Sequence, residues 1–357
     1  MQDVGRVYRG NEIVKDISEI FKVNISYSQA WRAKSYALEL LRGSPEDSFA
    51  KLPIYGHNLI RENPGTFTHI QLDAMGRFEM FFVAIGVAVS IFFINYLRPL
   101  IIIGGAHLKG KFKGTMFLVV AMDGNNQILP IAFGIGKIES GESWTWFLSK
   151  LKECIGENPS LSIVSDRAAS IEMDIRTVFP FVFHGLCCRH LMVNLRQKSK
   201  KGKTFEQLWW MTCKAYRSSD INELVHTLLD ICPDIYSTLW NLGYDKWSRA
   251  HSCGQRYIVM TSNSAESINA LSRHARKLPI TKLIACFREY LQIWPNGLGT
   301  EGTPQPNGYG RLKHHSHGHL GQPNSIIHMG PFSLHYTFAC HVQSSSMVQS
   351  HEDHGSA

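Results

Sequence analysis

Apolar positions in residues 11–45 recur at three- and four-residue spacing, which predicts two helices. One lies in IVKDISEIF, the other in SYSQAWRAKSYALELLRG, which opens on serines and closes on Gly43. The period fades over residues 46–75, a stretch that reads as loop-rich because YGHNLIRENPGT supplies turn signals. Met80–Leu97 then runs 18 residues without a charge, the lower edge of a membrane-spanning length. Ser90 and Asn95 interrupt it, Val and Ile dominate its middle, and another apolar run follows Arg98 and Pro99. A buried strand and a short helix are therefore expected rather than a membrane span.

Beyond Pro99 three β-branched runs, LIIIGGAHL, TMFLVVAMD and ILPIAFGIG, predict a strand meander, with Asp-Gly-Asn-Asn at 123–126 as a hairpin turn. A helix follows in WTWFLSKLKECIG, with Ser143 as the expected N-cap and Trp144, Phe147, Leu148 and Leu151 on one face. LSIVSD is the next strand, ASIEMDIRTVF a helix stopped by Pro180, FVFHGLC a fifth strand, and RHLMVNLRQKSKKGK a basic helix. A right-handed crossover lays the fourth of these strands parallel to the first. This order is the one used by RNase H-like domains. Residues 204–252 are helical in pattern and carry Trp209, Trp210, Trp240 and Trp247, and SNSAESINALSRHARKL predicts one further strong helix. After Trp294 the chain turns rich in Gly, Pro and His and is expected to be largely disordered.

Composition narrows the classes. At 357 residues with 44% hydrophobic content the chain can bury a core of ordinary size. Eight scattered cysteines and no signal peptide at MQDVGRVYRG argue against a secreted disulfide scaffold and for a reducing intracellular compartment. The formal net charge of +8 is compatible with a nucleic-acid partner but does not by itself require one.

Four features carry candidate chemistry. Asp166 ends an apolar strand, where α/β proteins place ligand groups, or it caps the next helix. Glu266 lies in the first turn of a helix starting near Asn263, where Asn-x-x-Glu also reads as a capping box. Cys187 and His190 have the spacing of half a zinc site, with no clear second pair of ligands, or Cys187 is simply a buried thiol. Lys109, Lys111 and Lys113 alternate at the end of the first meander strand, and Arg196, Lys198, Lys200, Lys201 and Lys203 crowd a helix end. Either set can meet phosphates or form a solvated face, and the second also reads as a nuclear localisation signal.

The segment from RPLIIIGGAHLKGKFKGTMFLVVAMDGNN through WTWFLSKLKECIG resembles the transposase core of the Mutator-like (MULE) family. The resemblance continues through Ser165-Asp166-Arg167, the C-x-x-H element at Cys187–His190 and TSNSAESINALSRHARKLPIT, in co-linear blocks over about residues 11–294. It implies an α/β protein with an RNase H-like (DDE transposase) core, a mixed five-stranded sheet interrupted by a helical insertion and preceded by a helical N-terminal region. The boundaries expected are 1–75 for that region, 76–187 for the first part of the core, 188–260 for the insertion, 261–294 for the core-completing helix and 295–357 for the tail.

The resemblance further implies two Asp and one Glu around two divalent ions, Mg²⁺ or Mn²⁺, one activating the attacking water or 3′-hydroxyl and the other stabilising the leaving oxygen. Asp166 matches the second Asp and Glu266 the Glu. The first Asp belongs in the block Ile103-Gly104-Gly105-Ala106-His107-Leu108-Lys109, where this chain has Gly104 instead. Metal binding is therefore expected to be impaired and the chain inactive as a nuclease. Asp123, in the hairpin turn, is not expected to substitute. Zinc at Cys187 and His190 is a further expectation. The N-terminal DNA-binding region and C-terminal zinc knuckle usual in the family are expected to be missing, since only Cys340 lies beyond residue 286. The expected partners are double-stranded DNA (transposon ends in the family), contacted by Lys109, Lys111, Lys113, Arg167 and Arg196, and a second copy of the chain. No membrane is expected, and the nucleus is the expected location. The alternative reading is a domesticated DNA-binding or regulatory protein that keeps the fold without cleavage.

Overall fold

In a computed structural model of the chain, residues 8–89, 97–166, 169–197 and 202–293 are described. Four helices open the chain: α1 (Gly10–Phe21), α2 (Tyr27–Arg42), α3 (Pro45–Ala50) and α4 (Leu52–Glu62). The first two are those expected. Ser26 caps α2 by accepting from the Gln29 N–H, and Gly43 ends it in a left-handed backbone that glycine adopts without strain. The loop-rich stretch expected over 46–75 is corrected to α3, α4 and strand β1 (Phe67–Leu72). Pro45 and Pro53 sit in first helical turns, where a missing N–H costs nothing. Gly56 is interior to α4 because a Cβ there would press to 3.2 Å from Thr68 Oγ1.

Strand β2 (Phe78–Ala84) begins the charge-free stretch, and a helical turn starts at Gly86 before residues 90–96, which lie outside the described ones. Among the described residues no helix is long and apolar enough to cross a membrane. The meander follows as β3 (Leu97–His107), β4 (Thr115–Asp123) and β5 (Ile128–Gly136). Then come α5 (Gly141–Ile155), β6 (Ser162–Ser165), α6 (Ala169–Val178) and β7 (Phe183–Leu186). These join one mixed sheet of order β1-β2-β5-β4-β3-β6-β7. Among the described residues the sheet has seven strands rather than the five expected, because β1 and β2 extend it antiparallel beyond β5. The crossover expectation holds: β6 lies parallel to β3, with Ile102 opposite Val164.

Both faces of the sheet are covered, which is why its strands read as unbroken apolar runs rather than alternating ones. Leu118 pairs with Phe133, so Phe117 and Phe133 point to opposite faces. Phe117 packs edge-on to Trp144 of α5, with ring centroids 4.7 Å apart, while Phe133 stacks on Phe287 at 4.5 Å. The apolar stripe of α5 is the expected one, with Trp144, Phe147, Leu148 and Leu151 all buried. Its cap is corrected from Ser143 to Ser140, whose hydroxyl accepts from the Ser143 N–H.

The single basic helix expected after β7 is two. Helix α7 (Cys188–Arg196) ends at Arg196 and α8 (Gly202–Lys214) begins after residues 198–201, outside the described residues. Helices α9 (Ser218–Ile231), α10 (Tyr236–Leu242) and α11 (Tyr244–Trp247) continue the helical stretch. Together α7 to α11 enclose a second apolar cluster, separate from the sheet's, around the stacked Trp209 and Trp247. The long helix expected over 262–278 is also divided. It becomes α12 (Asn263–Leu271) and a short 3₁₀ turn, and α13 (Ile280–Ile293) follows Pro279. The tail expected from residue 295 lies outside the described residues.

A buried arginine joins the second cluster to the sheet. Arg256 is 4% exposed and donates from Nη2 to Leu186 O, from Nη1 to Lys246 O and from Nε to Val259 O. Burial lowers its pKa from the ordinary value, an effect that the nearby Cys188, Cys213 and Cys187 oppose. Gly185 makes room for it, since a Cβ there would stand 3.0 Å from the guanidinium carbon. Replacing Arg256 by Leu leaves three carbonyls without a charged donor. We expect a loss of about 3 kcal/mol in denaturant unfolding, and an unchanged midpoint would contradict the staple.

Candidate functional site

The site forms where β3, β6 and β7 end and α12 rests on β3. Continuing the β3–β6 register two residues past Ile102↔Val164 sets Gly104 beside Asp166, which lies just beyond the end of β6 and is partly buried. Helix α12 rests on this end of β3. A Cβ added at Gly104 would meet Ala265 Cβ at 3.4 Å, ordinary contact, so nothing in the packing demands a glycine at that position. Asn269 Nδ2 donates to Gly105 O at 3.3 Å, and Arg276 reaches back from the 3₁₀ turn to donate to both His107 O and Asn269 O. These contacts explain why the helix stops at Leu271: Arg276 must face the strand rather than continue the helical face. Glu266, one residue past Ala265, is thereby held above the strand ends.

Segment 260–262 is tied just as firmly to the start of α7. The Cys188 N–H donates to Met260 O and the Cys187 N–H to Ser165 O, both at 2.8 Å, while the Ser262 N–H donates to Cys187 Sγ at 3.2 Å. This overturns the capping-box reading of Asn263 and Glu266. The N-cap is Ser262, which puts Ala265 rather than Glu266 at the third helical position, and the Asn263 N–H that such a box would direct to Glu266 goes to Thr261 Oγ1. The Ser262 hydroxyl instead donates to Glu266 Oε1 and pairs with His190 Nδ1, both at 3.3 Å. His190 Nε2 faces Glu266 Oε1 at 3.6 Å.

Cys187, His190 and Glu266 thus form one cluster, their ligand-type atoms all within 4.8 Å of one another. Its electrostatics are those of a polarised group. Burial pushes the Cys187 thiol up, but hydrogen bonds with His190 and Ser262 outweigh it, and the net shift is downward. The His190 imidazole is raised, first by its hydrogen bond with Cys187 and then, against burial, by the charges of Cys187, Glu266 and Asp166. Asp166 belongs to the same field. The sequence offers Cys187 and His190 as half a metal site. The third donor escapes a reading of spacing because it is 76 residues further along the chain from His190.

Other candidates sit apart. Lys109, Lys111 and Lys113 are exposed in the loop joining β3 to β4 rather than alternating along a strand, since β3 ends at His107. Lys111 is ion-paired with Glu46, which raises the lysine and lowers the carboxylate through their mutual hydrogen bond. Arg196 ends α7 within 3.6 Å of Glu206. Arg167 lies outside the described residues. Asp123 serves its turn, its Oδ1 accepting from the N–H groups of Asn125 and Gln127, and pairs with Leu97 at the opposite end of β3 from Gly104.

A two-ion Mg²⁺ centre fits these residues poorly. That hard cation prefers oxygen ligands, whereas Gly104 offers no side-chain oxygen and Glu266 Oε1 is engaged by Ser262 and faces His190.

Residues 100–194 match the family model of the MULE transposase domain. The matched segment holds Gly104, Asp166, Cys187 and His190. Glu266 lies beyond it and joins these residues only through the fold. No curated protein matches the chain.

Behind the site, His184 is a buried imidazole whose titration bears on stability. It is 8% exposed, and its Nε2 lies 2.8 Å from Ser165 Oγ, whose own proton goes to Asp166 O. The imidazole must therefore donate from Nε2, and Nδ1 has no partner among the described residues. Burial pushes its pKa down to about 4 from an ordinary 6.5. Between those values the unfolded chain binds a proton that the folded chain refuses, so stability rises with pH across this window and is lost on acidification. The full effect is up to roughly 3 kcal/mol. His184→Gln, which keeps a donor toward Ser165 but does not titrate, should flatten that part of the stability-against-pH curve. Superimposable curves for the two proteins would refute the assignment.

Proposed function

We propose that this chain, a carrier of the Mutator-like transposase domain, is a transposase-derived DNA-binding protein whose RNase H-like nuclease centre has lost one of its three carboxylates. In this reading 188–260 is a helical insertion, α12 completes the core, and the ancestral reaction is metal-dependent cleavage of DNA ends and strand transfer. The observation that supports it is the arrangement at the strand ends: the charges of Asp166 and Glu266 both act on His190, and the register position beside Asp166 is Gly104. A nucleus-located protein acting on double-stranded DNA, with a second copy of itself as a further partner, follows from the same reading.

Because the space at Gly104 accepts a Cβ, restoring the carboxylate is a fair test. With Mg²⁺ or Mn²⁺ and end-containing duplex DNA, the native chain should be silent. Gly104→Asp should gain nicking, and Gly104→Asp combined with Asp166→Ala should lose it. Cleavage by the native chain that Asp166→Ala abolishes would mean that another residue supplies the first ligand, and that the centre is not dead.

Retention of binding without cleavage is favoured by the exposed lysines of the β3–β4 loop, close in sequence to the site. Lys111 is partly neutralised by Glu46, which leaves Lys109 and Lys113 as the better phosphate contacts. Replacing both by Ala should weaken duplex binding alike for all sequences. The slope of log K against log salt should become shallower by about 2, at roughly 0.9 for each phosphate that is no longer neutralised. An unchanged slope would remove this loop from the DNA interface.

A further inference from the structure

The Cys187–His190–Glu266 cluster combines three donor types on a rigid frame, and only one of the three is shared with the carboxylate centre discussed above. We infer that these side chains form a three-ligand site for a transition-metal ion of the zinc type, with a fourth coordination position open to solvent. This goes beyond the DNA reading and does not depend on it.

Three observations carry the inference. The ligand atoms lie within 4.8 Å of one another, so modest side-chain rotations bring them to the roughly 2.0–2.3 Å that zinc requires of sulfur, nitrogen and oxygen. The outer contacts of a metal site are also already in place. Ser262 donates its N–H to Cys187 Sγ, the contact that stabilises a thiolate. The Ser262 hydroxyl pairs with His190 Nδ1, which leaves Nε2, on the Glu266 side, as the ligating nitrogen. The cluster is also half-open. Cys187 is fully buried, whereas the His190 and Glu266 side chains are 42% and 43% exposed, so an ion can enter from solvent and retain a water. A set of one sulfur, one imidazole and one carboxylate selects zinc-type ions over Mg²⁺ or Ca²⁺. Three protein ligands and an open position are the pattern of reactive rather than purely structural zinc sites.

The pair Cys188 and Cys213 does not compete. Both are fully buried, and Cys188 Sγ is occupied with Trp247 O.

The test is a cobalt(II) titration of the full-length chain, followed by the thiolate-to-cobalt charge-transfer band and tetrahedral d–d absorption. Histidines of the C-terminal stretch cannot produce the first signal. One equivalent should develop both signals, and zinc should abolish them by displacement. Cys187→Ser should remove the charge-transfer band, while Cys253→Ser and Cys213→Ser should keep it. His190→Asn and Glu266→Gln, at partly exposed positions that tolerate change, should each weaken binding by at least the roughly tenfold to a hundredfold that loss of an outer partner costs. These two variants decide the matter if Cys187→Ser fails to fold. A band that survives Cys187→Ser, or unchanged affinity in Glu266→Gln, overturns the site.

Discussion

Everything at the strand ends depends on the seating of α12 on β3. The contact is made by residues with little or no side chain, Gly104 against Ala265, and is fixed by carbonyls of the strand: Gly105 O accepts from Asn269 and His107 O from Arg276. Small residues let the helix approach closely, and the carbonyl contacts set its position along the strand. Glu266 owes its location to this docking together with the Ser262 hydroxyl that donates to it. The same docking brings Ser262 to the head of α7, where one residue serves the sulfur with its backbone and the carboxylate and imidazole with its hydroxyl.

A centre of this kind shows how one substitution redistributes chemistry. With an Asp at position 104, Asp166 and Glu266 would belong to an oxygen-rich group suited to hard cations. With Gly104, the ligand-type groups gathered with Glu266 are His190 and Cys187, a donor set suited to softer ions. The packing neither requires the glycine nor resists its replacement, since the space above it is ordinary contact distance. On the proposed reading, a carboxylate could be lost or restored here at little structural cost.

Much of the scaffold is legible in the sequence. The three apolar runs, the crossover helix with its Trp144 stripe and the parallel return of β6 follow from periodicity and handedness, because strands buried on both faces announce themselves as continuous runs. The departures near the N-terminus share a cause, that residue type alone does not distinguish a breaker from a helix start. Pro45, Pro53 and Gly56 look like breakers but occupy first helical turns or a close contact, which hides α3, α4 and the edge strand β1. The helix over 262–278 reads as longer than it is because nothing local reveals that Arg276 is needed at His107 O. Within the site, Asp166, Glu266, Cys187 and His190 can each be named, but the sequence pairs Glu266 with a capping box and leaves the cysteine and histidine short of a third donor. The rearrangement is tertiary. It depends on Ser262 giving its N–H to a residue 75 positions away.

The central claim is the seating of Ala265 over Gly104, and a cross-link tests it most directly. The two Cβ positions lie 3.4 Å apart, close to the roughly 3.5–4.5 Å spanned by a disulfide. Gly104→Cys with Ala265→Cys should oxidise readily to a bond between residues 104 and 265, identified by peptide mapping under non-reducing conditions, with secondary structure retained. Failure of that pair to close in the folded chain, or preferential pairing of either new cysteine with Cys187, would mean that α12 does not lie where Glu266 can meet the ends of β3 and β6.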